Sequence, residues 1–234
     1  PSFNRGQKSR SGPSPQHPND QPKPPWPPPP PPPADLLDVG CATGSFLLAA
    51  QTAGYRVTGL EPAPSAAAEA AHRTRATIHQ HDLPHCHLPP ESFDLITMWD
   101  VIEHLRDPVS VIREAARILR PGGRLLLSTG NADAPWARLT GSRWPLLTPP
   151  QHLYYFTPRN LTMLLHNHGL HIQWLRHPGK WVTAGFVLFK AIESWGPAAR
   201  PLLRLLQTLR LDTANLFINL RDIMTCSAIK PPHP

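Results

Sequence analysis

Only three cysteines, Cys41, Cys86 and Cys226, stand in 234 residues, and their positions form neither a disulfide framework nor a paired metal-ligand spacing. That scarcity points to a reducing compartment. No apolar run is long enough to span a bilayer, and no basic stretch leads into an apolar signal segment, so the expectation is a soluble, cytoplasmic protein. Acids are also in short supply, 16 against 23 Lys and Arg, for a net charge of +7. The shortage is uneven. Residues 34–130 hold eleven acids against eight bases, whereas residues 131–234 hold four against eleven. A basic C-terminal half admits an acidic substrate, an anionic membrane surface or RNA as a neighbour.

Proline, by contrast, is abundant. Fourteen of the 32 prolines fall in residues 1–33, ending in seven consecutive ones from Pro27 to Pro33. A segment so poor in backbone donors cannot build a core, which predicts a disordered or polyproline-II arm at 1–33 ahead of a domain at 34–234. From Ala34 onward strands and helices alternate. Strands are expected at 35–39, 55–60, 76–80, 93–99 and 124–129, with helices at 44–53, 64–73 and 108–119 between them. Such alternation implies a mostly parallel sheet covered on both faces. Residues 131–157 read as a long aromatic, proline-rich connection, followed by a helix at 158–168 and a strand at 170–176. Residues 180–220 read as two or three amphipathic helices with a basic face, carrying Val187, Leu188, Ile192, Leu202, Leu203, Leu205, Leu206 and Leu209, before a last strand at 223–229.

The chemistry concentrates at Asp38-Val39-Gly40-Cys41-Ala42-Thr43-Gly44, a glycine-spaced turn between the first strand and an Ala-rich helix. Seventeen residues beyond Gly44, the second strand ends in Glu61. Turn glycines let the backbone approach a ligand, and a carboxylate at the tip of the second strand can accept both ribose hydroxyls. A nucleoside-bearing cofactor follows. The dinucleotide fingerprint is excluded, because Ser45 stands where its third glycine would fall.

The turn resembles motif I of the Rossmann-like S-adenosylmethionine-dependent methyltransferases, with Ala42 in place of the middle glycine. Ser92-Phe93-Asp94-Leu95, Glu103-His104-Leu105, Asp107-Pro108 and Arg117-Ile118-Leu119-Arg120-Pro121-Gly122-Gly123 follow in order, and His152-Leu153-Tyr154-Tyr155-Phe156-Thr157 comes later. This series is similar to that of small-molecule methyltransferases, including the ubiquinone-biosynthesis O-methyltransferases. The resemblance covers roughly residues 35–177. It implies an α/β Rossmann-like three-layer sandwich with a mostly parallel seven-stranded sheet, a last antiparallel strand and a helical insertion near the C-terminus. It further implies S-adenosylmethionine held by Asp38, Gly40, Ala42, Gly44, Glu61, Asp82, Leu83, Trp99 and Asp100, with a small-molecule acceptor methylated at oxygen.

A hydroxyl acceptor must lose its proton, and His104 and His152 are the candidate bases. Asp100-x-x-Glu103-His104 is similar to the E-x-x-E-H series linked to divalent metal in the ubiquinone O-methyltransferases, with Asp replacing the first Glu; no metal ligand is assigned on that basis. His79, His81, His85, Cys86 and His87 straddle Asp82-Leu83 and lack a second spaced ligand pair, which favours a solvated loop over a zinc site. Trp136, Trp144, Tyr154, Tyr155 and Phe156 either wall an acceptor pocket or pack on the sheet. Nucleic acid is the less favoured partner, since Trp99-Asp100-Val101-Ile102 replaces the N/D-P-P-Y/F signature of amine-methylating enzymes. The competing readings are an RNA or protein methyltransferase and an inactive cofactor-binding scaffold. Peripheral membrane contact through 180–220 is a further expectation.

Overall fold

The computed structural model describes residues 30–195 and 200–232. Most of the proline-rich arm predicted over 1–33 therefore lies outside the described residues. Pro30 is tied to the domain, its carbonyl accepting the Tyr55 hydroxyl at 2.9 Å.

Near-continuous apolar runs place β1 (Asp35–Val39) and β4 (Phe93–Trp99) at the centre of the sheet, buried on both faces. Alternation along β1 divides the core. Leu36 joins Leu47 and Ala50 of α1 (Ser45–Thr52) and Ala70 of α2 (Pro64–Thr74) on one face. Leu37 and Val39 join Val111, Ile112 and Ala115 of α3 (Pro108–Ile118) and Leu161 and Leu165 of α5 (Pro158–Asn167) on the other. Sequence punctuates both helices on that second face. Asp107 caps α3 by accepting the Ser110 amide at 3.1 Å, and Thr157 and Asn160 cap α5 reciprocally, each helix having proline at its first position.

With β2 (Arg56–Leu60), β3 (Thr77–His79), β5 (Leu119–Gly130), β6 (His171–Arg176) and β9 (Ile223–Ile229), the sheet runs β3-β2-β1-β4-β5-β9-β6. β9 is antiparallel to both β5 and β6, and the pairs among β1 to β5 are parallel. This is the expected Rossmann-like three-layer sandwich with one antiparallel strand. The strand order reverses between β1 and β4, and ligands of such sheets bind outside the strand C-termini at that switch point.

Three expectations need correction. β5 begins at Leu119 rather than Arg124: Leu119 already pairs with Phe93, residues 120–123 bulge out, and the ladder resumes at Leu95 and Arg124. The bulge is held because Gly122 donates to the Lys230 carbonyl (2.8 Å) and Lys230 donates to that of Gly123 (2.9 Å). The connection after Gly130 contains a short helix, α4 (Pro135–Thr140), started by proline at its first position. Residues 180–220 are not wholly helical. α6 (Ala184–Trp195) and α7 (Arg200–Thr208) are bracketed by β7 (Lys180–Thr183) and β8 (Asn215–Ile218), an antiparallel ribbon in which Trp181 faces Phe217 with ring centroids 5.4 Å apart.

The Arg120-Pro121-Gly122-Gly123 segment serves the opposite sheet edge from the glycine turn. Arg120 clamps Asp35 (2.9 Å) and Asp94 (2.6 Å), and Arg56 adds a 2.7 Å pair to Asp35. These pairs hold the Asp35 carboxyl below its ordinary value, its hydrogen bond with Arg56 foremost. The clamp orders the N-terminal strand ends and leaves the C-terminal ends for chemistry.

Candidate active site

Three alternating residues of the β1–α1 turn are left-handed: Gly40 (φ +75), Ala42 (φ +47) and Gly44 (φ +78). The amides of Gly40 and Cys41 both donate to the Leu60 carbonyl, at 2.8 and 2.9 Å, so the turn is pinned to the end of β2. A β-carbon on Gly40 would lie 2.6 Å from Val101 Cγ2, and one on Gly44 would lie 3.1 Å from Ala70 Cα. Both glycines are therefore required by close approach as well as by φ. The small side chains of α2 are what let that helix approach Gly44.

Glu61 closes the turn. Its Oε2 accepts the Ala42 amide and its Oε1 the Ala63 amide, each at 2.9 Å. Each oxygen retains acceptor capacity for a further donor, such as a ribose hydroxyl. Arg73, which the sequence reading passed over, donates from α2 to the Thr43 carbonyl (2.9 Å) and to the Thr43 and Ser45 hydroxyls (3.2 and 3.3 Å). It braces the turn across 28 to 30 residues, and no local motif marks it.

Asp38 sits beneath the turn, 2% exposed, with its carboxyl accepting the Thr97 hydroxyl at 2.6 Å. Burial pushes its pKa up to about 7, partly opposed by the Thr97 bond. The Asp82 carboxylate pairs with the His85 ring, and the buried Leu83 side chain anchors that stretch in the core. Trp99 packs edge-on against Phe46 (centroids 5.4 Å), with its indole N–H buried and without a partner. Asp100, left-handed at φ +53, accepts the Ser128 hydroxyl at 2.7 Å.

Past β4 the chain turns through Ile102–His104, and here the two base candidates meet. The His104 and His152 rings are 4.7 Å apart, edge to face. His104 Nδ1 is 2.8 Å from the Gln151 carbonyl and His152 Nδ1 is 2.7 Å from that of Leu146. A carbonyl only accepts, so each Nδ1 carries a proton, and in the neutral ring Nε2 is the nitrogen left with a lone pair. The two segments are stitched by main chain, Leu153 and Tyr154 amides donating to the Glu103 carbonyl at 2.8 and 3.2 Å. Glu103 itself is 4% exposed, burial raises its pKa, and its Oε2 has no hydrogen-bond partner. Among the described residues, the His79–His87 stretch contributes to no metal-competent group. The aromatic loop splits its duties. Phe156 joins the main core and Trp144 packs on Ala134 and Ala137, whereas the Tyr155 hydroxyl is buried without a partner and its ring lies 6.3 Å from that of His152.

A nucleoside-type turn thus shares one sheet edge with a carboxylate and two imidazoles. The profile of a methyltransferase-domain family matches residues 20–173. The chain belongs to that family. A ubiquinone biosynthesis O-methyltransferase of Xanthomonas euvesicatoria is 32% identical over 152 residues, covering 60% of this chain and 64% of the relative. One of Vibrio cholerae is 35% identical over 104 residues, covering 42% of each. The chain therefore spans less than two thirds of the length of these relatives. Among solved structures, a SAM-dependent methyltransferase of Methanosarcina mazei shares the fold at 19% identity, with a TM-score of 0.58 and 86% and 93% of the two chains covered. The cyclase SpnF shares it at 20% identity and a TM-score of 0.56, covering 86% of this chain and 76% of its own. The methyltransferase-domain fold therefore leaves the reaction to the site.

Proposed function

We propose that the protein transfers a methyl group from S-adenosylmethionine to a hydroxyl of a small-molecule acceptor. The observation that carries this reading is the contact of the turn with the loop after β4: Val101 presses on Gly40, two residues before Glu103. A cofactor cradled by Gly40, Ala42, Gly44 and Glu61, with Asp82, Leu83, Trp99 and Asp100 along the same edge, would meet an acceptor bound near His104 and His152. In the transfer the acceptor oxygen forms a bond to the methyl carbon as the carbon–sulfur bond breaks. The sulfonium is already activated, so alignment supplies much of the rate. The hydroxyl proton passes to an Nε2 lone pair of His104 or His152. A cytoplasmic setting fits the three unpaired thiols.

Calorimetry with S-adenosylmethionine tests the cofactor, and no heat at millimolar concentration would sink the reading. Methyl transfer from labelled cofactor to a panel of phenols and catechols then separates an enzyme from a binding scaffold. Transfer to RNA or protein alone would overturn the small-molecule assignment.

A second element concerns location. No helix among the described residues is long and apolar enough to cross a membrane. Among the described residues of 181–220, nine large apolar side chains are exposed, Trp181 and Phe217 the most at 68% and 58%. Arg204 and Arg210 share this segment and Lys180 borders it. Such a surface suits peripheral contact with an anionic bilayer, which would bring a lipid-like acceptor to the protein. Sedimentation with anionic vesicles should carry the protein down and neutral vesicles should not; equal partition into both would argue against it.

A further inference from the structure

The order of strands in the sheet decides which part of a nucleoside cofactor each strand end can meet. Along β3-β2-β1-β4 the C-terminal ends carry Asp82 after β3, Glu61 after β2, the turn at 40–44 after β1 and Trp99 closing β4. With the ribose at Glu61 and the base toward Asp82, the sulfonium falls between the turn and Trp99. We propose that Trp99, braced by Phe46, recognises the positive charge of that sulfonium through its aromatic ring. The protein thereby prefers S-adenosylmethionine to S-adenosylhomocysteine, whose sulfur carries no charge. This deepens the methyl-transfer reading and rests on it.

Three observations carry the proposal. The first is that the two rings bridge the crevice at the switch point. Phe46 is the second residue of α1 and Trp99 the last of β4, and their rings meet with centroids 5.4 Å apart and planes at 64°. An edge-on pair leaves at least one face of each ring uncovered by its partner.

The second concerns what Trp99 shows to the site. Its side chain is half-buried, yet its single polar atom, Nε1, is fully buried. The side-chain surface it presents is therefore aromatic carbon. Phe46 is half-buried too, and its side chain has nothing but carbon to offer.

The third is that the acids of this edge are engaged. Glu61 takes the Ala42 and Ala63 amides, Asp100 takes the Ser128 hydroxyl, and Asp38 lies beneath the turn on the Thr97 hydroxyl. A carboxylate beside the sulfur could itself accept the methyl group, whereas a π face attracts the cation without competing as a nucleophile.

A cation over an indole face gains enough to favour the charged ligand by about two- to thirtyfold. When the methyl passes to the acceptor oxygen, the electron pair of the broken carbon–sulfur bond stays on sulfur and cancels its charge. Trp99 then loses its hold, which favours release of the product.

The test compares calorimetric Kd values for S-adenosylmethionine and S-adenosylhomocysteine on full-length protein without acceptor. The wild type should bind S-adenosylmethionine more tightly. Trp99→Leu should shrink that preference by about threefold or more, Phe46→Leu should act in the same direction, and Trp99→Phe should keep part of it. Glu61→Ala should weaken both ligands and leave their ratio unchanged. Fluorinated tryptophan depletes the π face at nearly constant shape, so protein labelled with it should also lose preference. The same label in Trp99→Phe should change nothing. Equal affinities in the wild type, or an unchanged ratio in the fluorinated protein, would overturn the proposal and leave methyl transfer standing. A wild type that binds neither ligand would remove both. Because the label leaves every side chain in place, a Trp99→Leu variant that fails to fold leaves the question decidable.

Discussion

The Ala42 amide donates to Glu61 Oε2 at 2.9 Å, so the irregular residue of the turn and the acid at the end of β2 form one unit. The contact joins the two halves of the βαβ element on the side where a nucleoside would lie, and the predictions for the cofactor follow from it.

Ala42 holds φ +47, a region that costs a residue with a β-carbon roughly 1–2 kcal/mol and glycine almost nothing. Glycine gives back about 0.4–1 kcal/mol through the entropy of the unfolded chain. Ala42→Gly should therefore raise Tm by a few degrees at most and tighten S-adenosylmethionine, because the turn no longer resists its bound form. Differential scanning calorimetry and a Kd measurement check both; a lower Tm would mean that φ here is not a strain.

Removing the Glu61 carboxylate frees two backbone amides as well as any ribose contact. Glu61→Ala should weaken cofactor binding by about tenfold or more, one charged hydrogen bond being worth about 1.5–3 kcal/mol. Glu61→Gln, which keeps one acceptor oxygen, should fall between. Equal affinity in all three proteins would remove Glu61 from the site.

Asp38 governs a pH dependence. Its folded pKa, about 7, lies above the ordinary 3.8, so the folded state holds the extra proton between these values. Stability contributed by the protonated acid is full below about pH 4 and is lost as pH rises to about 7, a swing on the order of 4 kcal/mol. Denaturant midpoints of cofactor-free protein should fall across that window, and Asp38→Asn should flatten the fall. An unchanged slope in the variant would assign the dependence to another group.

Gly40 and Val101 should behave as a coupled pair. Gly40→Ala places a methyl 2.6 Å from Val101 Cγ2 and forces φ +75 on it, and should cost about 2 kcal/mol or more of stability together with cofactor affinity. Val101→Ala in the same protein should recover the steric share and leave the backbone share, giving a non-additive double-mutant cycle. Strict additivity would show that the turn and the loop after β4 do not touch in solution.

The alternation of apolar runs with glycine and proline stops was enough to place β1 to β4 and α1 to α3 within a residue or two, because those segments are buried on matching faces and punctuated locally. It failed at Leu119–Gly123, where a Pro-Gly-Gly stop reads as a turn but is absorbed as a bulge by hydrogen bonds to Lys230, 107 to 108 residues away. It also failed at β7 and β8, whose pairing joins residues more than 30 positions apart.

The site divides along the same line. Backbone conformation at Gly40 and Gly44 and a carboxylate at the end of β2 are local demands, so the order of residues carries them, and with them the cofactor class. That His104 meets His152, that Glu103 lies beside them with an oxygen to spare, and that Asp100 turns away to Ser128 depend on how a loop 48 residues downstream of His104 folds back over the sheet edge. No spacing rule encodes that juxtaposition. It arises from packing, where the Glu103 carbonyl takes two amides of the loop and the aromatic anchor Phe156 sinks into the core.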